Sequence, residues 1–128
     1  MKRVNVHEYE QNHQPHYLYR CYDAEGLLLY IGCTVDVKKR MRTHRAGYGR
    51  HGASRWLAAC MDRHEVDSDV YAGRIAGREA ERQAIQAEQP LFNYQRRAGL
   101  NLAAWMTRAP IAEYLMEHGH AELARECA

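Results

Sequence analysis

No run of about 18 consecutive apolar residues occurs in this 128-residue chain, and its start lacks the charged, apolar and small-residue order of a secretory signal. A soluble, cytoplasmic protein with no membrane span is therefore expected. CxxC spacing is also missing. The four cysteines, Cys21, Cys33, Cys60 and Cys127, stand far apart, which argues against a disulfide framework and reads as small buried hydrophobes in a reduced chain. Cys60 and His64 supply at best half of a zinc site. Repeats and low-complexity tracts are absent, and the length suits one domain with a core of its own. The most informative absence is local. Residues 37–61 contain no Asp or Glu but seven Lys or Arg (Lys38, Lys39, Arg40, Arg42, Arg45, Arg50, Arg55), while the rest of the chain holds 11 basic and 16 acidic residues. The net charge of +2 conceals this cationic segment. With His44 and His51 and the flexible residues 46–52 inside it, the segment suits a phosphate backbone, although an isolated basic helix could equally be a solvated face.

Two apolar-aromatic runs, residues 16–22 and 27–31, flank the turn-forming Asp23-Ala24-Glu25-Gly26 and predict a β-hairpin. A helix is expected to follow, with Thr34 as its N-cap, Asp36 against the positive end of the dipole, and Val37 and Met41 as apolar anchors. Its inward positions at helical spacing are Val37, Arg40, Met41 and His44, two of them polar. Pointing Arg and His at a hairpin lined with Tyr17, Tyr19 and Tyr30 is costly unless a wet or anionic cavity receives them.

Residues 1–15 support at most a short edge strand. After the glycine-rich loop, Ser54 is placed as the cap of a second helix carrying Trp56, Leu57, Cys60 and Met61 to about Arg63. Residues 65–75 read as a third strand, and residues 77–89 as a third helix with Ala80, Ala84 and Ala87 as its apolar stripe, stopped by Pro90. Residues 91–94 form an apolar finish. Beyond them, residues 95–128 read as a helical appendage: Asn101 could cap one short helix, and Pro110 could open another bearing Ile111, Tyr114 and Leu115. These helices would cover the core or serve a partner, including a second copy of the chain in a homodimer.

The ordered features now stand as hairpin, Tyr-Ile-Gly, helix with inward Arg and His, basic loop, strand, helix with Glu, then Pro and Asn. In this order they resemble the GIY-YIG nuclease domain, over about residues 16–94. Tyr30-Ile31-Gly32 reproduces the second motif, and Arg40 and His44 match the essential Arg and the His or Tyr four residues on. Glu81, Pro90 and Asn93 keep the later spacing. Two departures stand out: Pro15-His16-Tyr17 replaces Gly-Ile-Tyr, keeping only the Tyr, and Cys33 occupies a position that is often Lys.

The resemblance implies an α/β fold on a small three-stranded antiparallel sheet flanked by helices in β-β-α-α-β-α order, with a C-terminal helical extension. It also implies hydrolysis of DNA phosphodiesters by a divalent metal, Mg²⁺ or Mn²⁺, with Glu81 as the single protein ligand. On this reading Tyr17 orients or deprotonates the attacking water with Tyr30 beside it, and Arg40 binds the transition-state phosphate. His44 hydrogen-bonds the phosphate or a Tyr hydroxyl, and Asn93 orients the network or acts as a structural cap. A phenol of pKa about 10 is ionised roughly once in a thousand at pH 7, a handicap of about 4 kcal/mol that cations and metal must offset. Lys38, Lys39, Arg42, Arg45, Arg50, His51 and Arg55 are the expected DNA contacts. The departures leave open a second reading, a nuclease fold kept as a DNA-binding module without catalysis.

Overall fold

The computed structural model describes residues 13–47, 52–93 and 104–127. Strands β1 (Pro15–Tyr22) and β2 (Leu28–Thr34) form the expected hairpin. Its turn is closed by Asp23, whose Oδ1 accepts from the backbone N–H groups of Glu25 and Leu27 at 3.0 and 2.8 Å, while Gly26 takes the left-handed φ of 88°. Helices α1 (Val37–Ala46) and α2 (Gly52–Cys60) follow, then β3 (Arg63–Ala72), α3 (Arg74–Glu88), α4 (Ala104–Glu117) and α5 (Ala121–Glu126). The sheet is antiparallel in the order β2-β1-β3, so the hairpin's first strand is central. This is the anticipated α/β architecture and element order.

Both sheet faces are covered. On one, Tyr19, Cys21, Met41, Trp56, Leu57 and Phe92 pack with Ile111, Tyr114 and Leu115 of α4. On the other, Leu18 and Ile31 meet Ile85 of α3. Arg20 ties α3 to the sheet through paired bonds to Glu88 at 2.8 and 2.6 Å and a longer contact to Asp67. No helix among the described residues is long and apolar enough to cross a membrane.

Several boundaries differ from the expectations, each for a local reason. Strand β2 runs on to Thr34 because Gly32, Cys33 and Thr34 pair with Tyr19, Leu18 and Tyr17. The cap of α1 is Asp36, whose Oδ1 accepts from the Lys39 N–H at 3.0 Å; Thr34 instead accepts from the Asp36 N–H. Ser54 lies inside α2 rather than capping it. Helix α3 starts at Arg74 after Gly73, and its buried face is Gly77, Glu81 and Ile85, with Ala80 and Ala84 half-buried beside it and Ala87 exposed. Its small alanines flank the contact; the glycine and isoleucine make it.

The C-terminal helices also differ. Helix α4 continues through Pro110, which is exposed, because Ile111, Tyr114 and Leu115 are all drawn into the core just beyond it. Tyr114 also donates its hydroxyl to Asp23 Oδ2 at 2.7 Å, docking α4 on the hairpin turn. These apolar side chains are spent on the chain's own core, not presented to a second copy. The short strand considered for residues 1–12 and the cap at Asn101 fall outside the described residues.

Candidate active site

Hairpin register decides which aromatic groups meet. Tyr17, Tyr19 and Cys21 alternate onto one face of β1, opposite Thr34, Gly32 and Tyr30 of β2. Tyr19 lies across Gly32, where any Cβ would collide with the phenol ring and its oxygen. Gly32 is thus glycine because Tyr19 occupies the space a side chain would need. The Tyr19 and Tyr30 rings sit 6.2 Å apart.

Helix α1 brings His44 to this pair from above. Nε2 of His44 lies 2.8 Å from the Tyr19 hydroxyl and Nδ1 lies 3.3 Å from Ser54 Oγ on α2, while the Tyr30 ring meets the imidazole edge-on at 5.3 Å. A neutral imidazole with its proton on Nδ1 satisfies both bonds, Tyr19 donating to Nε2 and Nδ1 donating to Ser54. Burial, reinforced by the Arg40 charge, pushes the His44 pKa down to about 4, which keeps the ring neutral at physiological pH. Burial also raises the Tyr19 pKa, with Tyr30 adding to the rise and Arg40 opposing it. Arg40 is itself exposed, so one guanidinium links this buried cluster to the surface.

Beside the cluster opens a cleft of about 540 Å³. Tyr30, Cys33 and Thr34 of β2 line it with Arg40 of α1, Arg74, Arg78 and Glu81 of α3, and His16 of β1. Among the described residues Glu81 supplies the only carboxylate of that lining, and it is 8% exposed. Its approach depends on Gly77 one turn earlier. A Cβ at Gly77 would stand 2.8 Å from Cys33 Sγ and 2.9 Å from His16 Cβ, so α3 reaches the sheet only because that position is bare.

Asn93 acts on the outer edge of β2. Its Oδ1 accepts from the Ile31 N–H at 2.9 Å and its Nδ2 donates to the Ile31 carbonyl at 3.0 Å, while Phe92 N–H reaches Leu29 O at 2.7 Å. The segment after α3 therefore zips along the free edge of β2, and the Asn93 amide fixes the peptide between Tyr30 and Gly32.

The structure brings Tyr30, Arg40, His44 and Glu81 to one region, as the sequence suggested, and sets Asn93 behind it. Tyr17 is the exception. It is half-buried opposite Thr34 and Val70, and the tyrosine bonded to His44 is Tyr19, two residues further on the same face. Turn length alone could not have found it: five residues lie between the strands, and it is the bulge between Cys21 and Tyr22 that brings Gly32, rather than Ile31, opposite Tyr19. Among the expected DNA contacts, Lys38, Lys39, Arg42 and Arg45 are exposed along α1. Arg55 makes a two-pronged ion pair with Glu126 of α5 at 2.5 and 3.1 Å. Arg50 and His51 lie outside the described residues. Sequence reasoning did not place His16, Arg74 or Arg78 in the site; Arg78 and Arg74, one and two helical turns ahead of Glu81, were the available clue.

Glu81 fits a hard cation in its donor chemistry, being a carboxylate on a polar, open cleft. Among the described residues no group of three or more His, Cys, Asp or Glu is arranged to hold a metal. No curated protein matches the chain significantly. Residues 15–101 match the family model described as the GIY-YIG catalytic domain, and this span contains the hairpin, the Tyr19–His44 pair and the cleft's Tyr30, Arg40, Arg74, Arg78 and Glu81. The chain belongs to the GIY-YIG family of nucleases.

Proposed function

We propose that this protein is a metal-dependent DNA endonuclease, hydrolysing phosphodiester bonds in the cleft between β2, α1 and α3. One observation carries the reading: a buried carboxylate, Glu81, shares a cleft with three arginines, Arg40, Arg74 and Arg78, beside a tyrosine-histidine cluster. That charge pattern suits an anion carrying a cation with it. Glu81 would hold Mg²⁺ or Mn²⁺, which when bound supplies Lewis-acid polarisation of the phosphate and stabilises the leaving oxygen.

The chain's own groups divide the remaining work. Tyr30 lines the cleft and orients the attacking water. Arg40, with Arg74 and Arg78 across from it, binds the phosphate oxygens as their charge grows. Tyr19 takes over the place first given to Tyr17, but as a positioning residue: fully buried, it anchors His44 and so the wall on which Tyr30 and Arg40 stand. Asn93 positions Tyr30 through the Ile31 peptide. Lys38, Lys39, Arg42 and Arg45 hold the flanking backbone, giving affinity without sequence readout. Four free cysteines support a reducing, cytoplasmic setting.

Cleavage of duplex, single-stranded and branched DNA in Mg²⁺, with Glu81→Ala as control, tests this reading and ranks the substrates. Strand scission that depends on Glu81 is the expected result; cleavage of none of them would leave the DNA-binding module. Complete burial of Tyr19 favours that second reading. It predicts salt-dependent DNA affinity unaffected by metal or by Glu81→Ala.

A further inference from the structure

We propose that His16 is a second protein ligand for the ion on Glu81, through its Nε2; this rests on the metal-dependent reading above. His16 and Glu81 line the same cleft, and both are largely buried. Their proximity has a visible cause. The His16 Cβ packs against the bare Cα of Gly77, and Gly77 lies one helical turn before Glu81 on the same buried face of α3. A side chain at Gly77 would separate them.

The orientation of the imidazole is also fixed. Nδ1 of His16 donates to the Gln14 carbonyl at 2.8 Å. A carbonyl can only accept, so the neutral ring carries its proton on Nδ1 and leaves a lone pair on Nε2. That nitrogen meets no protein partner among the described residues. Histidines that bind metals characteristically donate their other ring N–H to a backbone carbonyl or carboxylate, which sets the tautomer and the ring plane. His16 has this arrangement ready-made.

A nitrogen ligand changes which ion the site prefers. Mg²⁺ holds its waters tightly and favours oxygen donors, whereas Mn²⁺ accepts imidazole beside carboxylate. The cleft is therefore assigned a preference for Mn²⁺ over Mg²⁺ that Glu81 alone would not give.

The test is direct ligation measured on the full chain. Pulsed EPR of the Mn²⁺-loaded protein reads ¹⁴N coupling from a bound imidazole, and calorimetry reads Mn²⁺ and Mg²⁺ affinity for wild type, His16→Asn and Glu81→Gln. The amide of His16→Asn can keep the bond to the Gln14 carbonyl while removing Nε2. Wild type should show the ¹⁴N coupling, and His16→Asn should lose it along with about tenfold or more in Mn²⁺ affinity, with Mg²⁺ affinity changed far less. Coupling absent from wild type, or persisting in His16→Asn, overturns the His16 ligand while leaving a Glu81-dependent site intact. Mn²⁺ binding unchanged by Glu81→Gln overturns the metal reading itself. Mn²⁺-induced broadening of the His16 ring signals in wild-type NMR gives the same answer if His16→Asn does not fold, and their remaining sharp beside bound Mn²⁺ overturns the proposal.

Discussion

At the residue scale, His44 has the most measurable environment. It is 4% exposed and faces Tyr19, Tyr30, Ser54 and the Arg40 charge, with no carboxylate among its hydrogen-bond or ring partners in the described residues. Its folded-state pKa of about 4 lies below the 6.5 of an unfolded chain. Between those values the unfolded chain takes up a proton that the folded one refuses. Stability is therefore complete above pH 6.5 and falls as the pH drops toward 4, by an amount on the order of 3 kcal/mol. Urea unfolding of wild type against His44→Gln should show this difference in pH dependence over that window; parallel curves would contradict it. Tyr19→Phe should cost about 1–3 kcal/mol in the same assay, because the ring still fills the space over Gly32 but leaves His44 Nε2 without its donor. Arg40 and His44 were legible in the sequence as polar residues on the inward face of a helix. Tyr19 was not, since both tyrosines share a strand face and only cross-strand register separates them.

At the element scale, α3 shows how a sequence pattern misleads. Its alanines recur at helical spacing and read as the apolar stripe, yet the buried line is Gly77, Glu81 and Ile85. A carboxylate in mid-face hides that line from any hydrophobicity pattern, and a glycine in a helix reads as a weak start where it is in fact a contact point. Gly77→Ala should be destabilising by about 1–3 kcal/mol, from overpacking against Cys33 and His16, although alanine is the better helix former. It should also lower nuclease activity beyond the loss of folded protein, because α3 carries Glu81. A stabilised, fully active Gly77→Ala would show that α3 does not dock as described. Pro90 and Asn93 were visible as a spacing, but their effect on the edge of β2 needed the fold.

At the scale of the whole molecule, the element order and the charged face of α1 were readable from periodicity, turn residues and the acid-free segment. The three-stranded antiparallel sheet came from the family resemblance, and the strand order β2-β1-β3 needed the structure. The place of the C-terminal helices was not readable either, because their apolar residues fit a partner's surface as well as the chain's own core. The structure spends them internally: Ile111 and Leu115 are fully buried in the cluster that holds Trp56 and Phe92. At about 1.5–3 kcal/mol per buried aliphatic side chain, these two alone stabilise the fold by an amount comparable to the whole margin of many domains. Removing residues 104–128 should therefore abolish cooperative thermal unfolding, and a truncated chain melting like the full one would contradict this packing. The central claim is chemical, that Glu81 and Arg40 act together in one cleft on a DNA phosphate. It is tested most directly by nicking of supercoiled plasmid in Mg²⁺ by wild type, Glu81→Gln and Arg40→Ala, each shown to be folded. The prediction is cleavage by wild type and losses of about a hundredfold or more in both variants; cleavage that survives either substitution at the wild-type rate would contradict it.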